Sequence, residues 1–152
     1  MFHFDDIFKY KGYNDGMKEI VLLADISNID DLIDPILDDL RKLEVDEKTL
    51  YKIHLSLDEI ITNVASYAYP DQKGDVSISY YVEENPKTFI CIIKDKGIPF
   101  DPLKDASEPD LTASLQNRGI GGLGIFIAKN TMDELSYQRV NEENILTIKK
   151  KI

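Results

Sequence analysis

Hydrophobic and polar positions along this chain fall into blocks of different period. Residues 19–25 (EIVLLAD) make a short continuous apolar run, which predicts a strand. From Ser27 the spacing changes: Ile29, Leu32, Ile33, Ile36, Leu37, Leu40 and Leu43 recur at intervals of three and four, the stripe of an amphipathic helix. Ser27 with Asp30 three residues on supplies its start signal. Pro35 either kinks this helix or sits in the first turn of a later start capped by Asp34. A second helix is predicted from Asp46, with Ile53, Leu57, Ile60, Ile61, Val64 and Ala68 on its buried side and Tyr69-Pro70 ending it. Val76–Val82 then alternates apolar and polar, as a half-buried strand does. After a turn at Glu84–Lys87, Thr88–Lys94 is apolar on both sides. A short helix to about Thr131 precedes a hairpin of Leu135–Val140 and Ile145–Lys151, turned at Asn141–Asn144.

The predicted order is strand, helix, helix, strand, strand, long loop, helix, strand, strand. Consecutive strands with short turns pair antiparallel. The fold class is therefore α+β, a two-layer α/β sandwich with a mixed, mostly antiparallel sheet covered by helices on one face. One domain is expected over residues 19–152, after an N-terminal extension, residues 1–18, that fits no period. Phe2, Phe4, Ile7 and Phe8 of that extension dock on the domain or on a partner, or the segment is partly disordered. Residues 96–118 hold three of the six prolines and no periodic pattern. An irregular segment of this length inside a domain is usually functional, often a lid.

Composition narrows the function. At 152 residues the chain can bury about 70% of its unfolded surface. A net charge of −10 excludes a protein that tracks nucleic-acid phosphates over a basic face, but not a local nucleotide pocket. The single cysteine, Cys91, excludes an internal disulfide, and its apolar surroundings predict a buried thiol. Met1–Asp6 lacks a basic region followed by an apolar core, and no apolar run reaches the ~18 residues that span a bilayer. A cytoplasmic protein with no membrane contact is expected.

Three places can carry chemistry. Glu59 and Asn63 lie four apart on the second helix, about 40° apart around its axis, at the flank of the apolar stripe. A carboxylate and an amide there can act as base and as oxygen ligand for Mg²⁺, which shares its shell with waters and phosphates. The same pair is also common on a solvated helix face. Asp95-Lys96-Gly97 closes the most apolar strand, where a carboxylate can accept from an exocyclic amine or simply form a turn. Residues 118–124 (RGIGGLG) hold four of the eight glycines just before an apolar helix, a local arrangement that suits phosphate. Gly119-x-Gly121-x-x-Gly124 matches the dinucleotide fingerprint formally, but a proline-rich loop stands where a strand is required. Ile125-Phe126 after Gly124 excludes a Walker A site.

Taken in order, Glu59-x-x-x-Asn63, Asp95-x-Gly97, a lid and a glycine-rich turn into a helix resemble the Bergerat-type ATP-binding fold of gyrase and the histidine kinases. The stretches Leu57–Pro70, Ile93–Pro102 and Arg118–Tyr137 resemble, within it, the bacterial anti-sigma-factor serine/threonine kinases. The resemblance implies ATP and Mg²⁺ as cofactors. It assigns Asn63 to the metal, Asp95 to the adenine amine and Gly97 to close approach of the adenine. It assigns Gly119, Gly121, Gly122 and Gly124 to the phosphates, with Arg118 adding charge at the lid edge, and Thr147 to support of the adenine site. Glu59 becomes the general base that takes a proton from a partner's serine or threonine hydroxyl. The implied partner is a STAS-type antagonist protein in a partner-switching circuit, with a sigma factor held in addition and a homodimer as the assembly. Many members carry histidine where this chain has Tyr67, and the N-terminal extension matches nothing in the family. Two other functions fit the same residues: an ATP-sensing module that sequesters a partner without transfer, and a histidine-kinase catalytic domain. The second lacks an upstream helical hairpin with a phosphoacceptor histidine, and His54 reads as a surface or packing residue.

Overall fold

A computed structural model of the protein describes residues 16–104 and 123–152. Five strands, β1 (Lys18–Leu23), β2 (Asp75–Glu83), β3 (Thr88–Asp95), β4 (Glu134–Val140) and β5 (Glu143–Lys151), form one sheet in the order β1-β2-β3-β5-β4. Three helices, α1 (Ile29–Lys42), α2 (Glu47–Asn63) and α3 (Leu123–Thr131), complete the α+β layers. Among the described residues the sheet is antiparallel at each of its four pairings, without the parallel component of the expected mixed sheet. Two helices between β1 and β2 return the chain against its starting direction. The hairpin partner β5 separates β4 from β3, which points the same way.

The expected helices and strands form where the hydrophobic periods put them. Asp46 caps α2, its carboxylate accepting from the Thr49 N–H at 2.9 Å. In α1 the six residues Ile29, Leu32, Ile33, Ile36, Leu37 and Leu40 are buried, with Asp30 and Asp31 in the first turn and Arg41 and Lys42 in the last. Those charges oppose the helix dipole at both ends. Pro35 is the seventh residue of this helix, so the later start capped by Asp34 does not occur. Asp25, not Ser27, makes the cap that opens the segment, accepting from the Ser27 N–H at 2.8 Å over a short 3₁₀ turn. The stripe on α1 holds the helix against the sheet despite the hydrogen bond that proline removes, since each fully buried Leu or Ile contributes about 1.5–3 kcal/mol.

Cross-strand register sorts the sheet into rows. Ile20, Ile78, Ile93, Leu146 and Tyr137 stand side by side across all five strands and face the helices. The next row on that face is Leu22, Val76, Asp95, Asn144 and Arg139. It is apolar at one edge and polar from β3 onward. The opposite face carries Glu19, Ser79, Ile92, Thr147 and Ser136 in one row. Cys91 is wholly buried in β3, and burial pushes its thiol pKa up, so it is a core residue. Among the described residues no helix is long and apolar enough to cross a membrane.

Candidate functional site

The polar end of that inward row is where chemistry collects. Asp95 is 6% exposed and accepts two hydrogen bonds on Oδ1, from the Gly97 N–H at 2.9 Å and from Asn144 Nδ2 at 2.9 Å. Asn144, equally buried, also donates from Nδ2 to the Ile98 carbonyl at 2.8 Å. Its Oδ1 accepts from the Tyr137 hydroxyl at 2.6 Å and from Arg139 Nη1 at 2.9 Å. Arg139 reaches on to the Gly97 carbonyl at 3.1 Å. Among the described residues, both bonds to Asp95 fall on Oδ1. Its second oxygen, Oδ2, is thereby left for another donor. Burial pushes the Asp95 carboxyl above its ordinary value, and the bonds from Asn144 and Gly97, with the charge of Arg139, pull it part of the way back.

Asp95 and Asn144 close one end of a groove between α2 and the sheet. Ile60, Val64, Ile93 and Leu146 line it with apolar surface, Asn63 and Tyr67 face it from the helix side, and Phe100 and Pro102 form a lip. An apolar groove with a buried carboxylate in its lining fits a base with an exocyclic amine. The helix that supplies Asn63 widens immediately after it into one π-helical turn, Val64–Ala68. Such turns recur at functional sites, where they redirect backbone groups. Here the Ala68 carbonyl accepts from the Ile98 N–H at 2.9 Å, joining the end of α2 to the loop that leaves β3.

Asn63 and Asp95 share the groove. Glu59 stands one helical turn before Asn63, half-buried, with its carboxyl pKa raised by burial and secondarily by the exposed Asp58 beside it. Gly97 is buried beneath the groove and does not line it. A Cβ on Gly97 would run into the backbone carbonyl of Ala68, so the π turn by itself requires glycine there. Gly124 is the second residue of α3, and a Cβ on it would meet the Glu59 side chain. Thr147 lies on the opposite face of the sheet, between Ile92 and Ser136, and cannot support this site. Asn144, three residues earlier, occupies the position expected of it. Arg118, Gly119, Gly121 and Gly122 lie outside the described residues. So do residues 105–118 of the expected lid. Its first part is tied down instead: Lys96 N–H donates to the Tyr69 hydroxyl at 2.8 Å, and Lys129 Nζ donates to the Leu103 carbonyl at 2.9 Å.

Asn144, Arg139, Tyr137 and the groove-facing Phe100 are not singled out by the sequence. One signal for Asn144 is present there: it has the same strand parity as Leu146 and Ile148, which marks it as inward-facing once β5 is extended back to Glu143. Asn141 and Glu142, both at positive φ (51° and 63°), make a two-residue hairpin turn, so the expected four-residue turn is shorter and Asn144 belongs to the strand.

Among the described residues no cluster of three or more His, Cys, Asp or Glu could hold a metal ion. On the α2 side of the groove stands the Asn63 amide, whose side chain makes no capping hydrogen bond. One neutral oxygen suits Mg²⁺ where the remaining ligands are waters and substrate phosphates.

Comparison with known proteins agrees with this geometry. The model of the histidine kinase-like ATPase domain matches residues 24–150. The chain is 29% identical over 99 residues to the serine/threonine-protein kinase BtrW of Bordetella bronchiseptica, covering 64% of this chain and 68% of that one. It is 25% identical over 131 residues to the anti-sigma F factor of Caldanaerobacter subterraneus subsp. tengcongensis, covering 86% of this chain and 80% of the relative. Against the serine-protein kinase RsbW of Bacillus velezensis the identity is 30% over 92 residues, 57% of this chain and 55% of that one. The histidine kinase domain from the blue-light activated histidine kinase of Erythrobacter litoralis EL346 superposes with a TM-score of 0.51 at 19% identity, over 81% of this chain and 60% of that one, a likeness of fold. The matched span takes in the three helices, β2, β3, β4 and all but the last residue of β5, together with the site at one end of the sheet, and leaves out only β1 among the described strands; the chain belongs to the histidine kinase-like ATPase domain family.

Proposed function

We propose that this chain binds ATP with Mg²⁺ and is a serine/threonine protein kinase and anti-sigma regulatory factor that phosphorylates a STAS-type antagonist protein. The observation that carries the reading is Asp95, a buried carboxylate lining an apolar groove, whose bonds to described residues all fall on Oδ1. Oδ2 accepts from the adenine amine, and the slot walls Ile93, Val64 and Leu146 enclose the ring. Asn63 holds Mg²⁺ through its amide oxygen. When bound, that ion neutralises phosphate charge and fixes the phosphoryl group in line. Glu59 takes the proton of the partner's hydroxyl. Partial burial raises its basicity, which suits a base working near neutral pH. Arg118 and the glycines 119, 121 and 122 surround the phosphates. The names of the relatives, two serine or serine/threonine kinases and an anti-sigma factor, support protein phosphorylation in a regulatory circuit over other uses of an ATP site.

The test is transfer of label from γ-labelled ATP to a purified STAS-type protein across a range of Mg²⁺ concentrations. Phosphate appears on the acceptor with the parent chain and is abolished by Glu59→Ala, which still binds ATP. A parent chain that binds ATP and a partner yet transfers nothing is a nucleotide-dependent sequestering module, and the kinase reading is then rejected.

A further inference from the structure

The last glycine of the run, Gly124, lies within the described residues. Gly124 is buried in the first turn of α3, and its bare side faces α2 at Glu59. A Cβ on Gly124 would stand 2.5 Å from Glu59 Cβ and nearer still to Cγ and Cδ. The closest obstacle along the stem is therefore not only the mobile end of the glutamate. Cβ is fixed to the α2 backbone, so a change of rotamer cannot relieve the overlap by itself. α3 has little room to retreat, because Ile125, Ala128 and Met132 are buried on its other contacts.

We propose that Gly124 is a positioning residue for Glu59: the bare turn of α3 is the wall against which the glutamate stem packs, and it fixes where the carboxylate stands. This rests on the reading of Glu59 as the base. Two consequences separate it from a phosphate contact. Alanine is a better helix former than glycine, so Gly124→Ala would stabilise an open helical position, whereas here it must push α3 and Glu59 apart. A displaced base also lowers the rate of transfer at saturating ATP without weakening ATP binding.

The experiment uses four full-length proteins: the parent, Gly124→Ala, Glu59→Ala and the double variant. For each, the melting temperature, the ATP·Mg dissociation constant and the single-turnover transfer rate to a STAS-type acceptor at saturating ATP are measured. Gly124→Ala is expected to melt lower than the parent and to lose about tenfold or more in saturated transfer rate. Its ATP affinity stays within about twofold of the parent. The melting loss caused by Gly124→Ala is smaller when Glu59 is already alanine, because Cγ and Cδ are gone. A saturated rate equal to the parent's, ATP affinity that falls while that rate is kept, or strictly additive melting shifts each overturn the positioning role. If Gly124→Ala does not fold, Gly124→Ala combined with Glu59→Gly, which removes Cβ as well, decides: recovery of folding supports the contact, and a protein equally unfolded while Glu59→Gly alone folds rejects it. Undiminished transfer by Glu59→Ala rejects the base reading itself. Loss of transfer in Glu59→Ala with full transfer in Gly124→Ala rejects the positioning claim alone.

Discussion

Replacing Asn144 by alanine removes the side chain that joins β3, β4, β5 and the loop after β3. Five hydrogen bonds are lost: four between 2.6 and 2.9 Å, to Asp95, the Ile98 carbonyl, Tyr137 and Arg139, and a longer one of 3.5 Å from the Phe100 N–H. They are not equal in consequence. Tyr137 and Arg139 are half-exposed and can turn to water, and Arg139 keeps its bond to the Gly97 carbonyl. Asp95 is buried and loses one of its two donors. A bond to a charged group contributes about 1.5–3 kcal/mol, and the remaining losses bring the total to roughly 2–4 kcal/mol. In a domain of this size that lowers the melting temperature by roughly 6–12 °C. The pH dependence identifies Asp95 as the cause. Its folded pKa is raised, so its contribution to stability is complete below the unfolded value and lost as pH rises through the folded one. Removing Asn144 takes away a bond that lowers that pKa, so the folded value rises further. The variant's deficit is therefore greatest near neutrality and narrows toward about pH 4, the unfolded aspartate value. Urea unfolding of both proteins at neutral and acid pH measures this directly. A melting shift under about 2 °C, or a deficit of equal size at both pH values, would refute the network as described.

Two further outcomes are expected from contacts elsewhere. Burial pushes the Asp39 carboxyl up, but hydrogen bonds from Lys18 and Tyr80 outweigh it and leave the pKa below the ordinary value. Its stabilisation is present above the unfolded aspartate pKa and lost as pH falls through the folded one, so Asp39→Asn destabilises by about 1 kcal/mol at pH 7 and by almost nothing near pH 2, as urea titrations at the two pH values will show. Gly97→Ala forces a methyl group into the Ala68 carbonyl, a backbone atom with no rotamer to change, and lowers stability by about 1–3 kcal/mol. ATP binding weakens with it, since the Asp95 carboxylate is held by the Gly97 N–H; an unaltered melting curve would deny the contact.

Most of the fold is legible in the sequence because each element's period agrees with the face it buries. The 3–4 spacing on α1 and α2 and the alternation on β2 need no tertiary information. Hidden from it are features decided by register and by contact between elements. Asn144 reads as a turn residue because Asn-Glu-Glu-Asn has the polarity of a turn, and only the two-residue turn at Asn141–Glu142 moves it into β5 and onto the inward face. The same register sends Thr147 to the other side of the sheet. Pro35 reads as a boundary when local backbone preference is weighed without the stripe of six buried residues around it. Gly97 and Gly124 both stand out as glycines, but the atoms that demand them, the Ala68 carbonyl and the Glu59 stem, are distant in sequence.

The π turn at Val64–Ala68 constrains how the chain can vary in length. Each residue added to or removed from a helix rotates the remainder of the chain by about 100°. Deleting one residue from this turn would regularise the helix and carry the Ala68 carbonyl away from the Ile98 N–H that it now meets. Side chains such as the exposed Ser66 and Tyr67 can be exchanged there without that penalty. The stretch is thus fixed in count throughout and free in composition only where it is exposed, a spacer whose length holds the end of α2 and the loop after β3 in step.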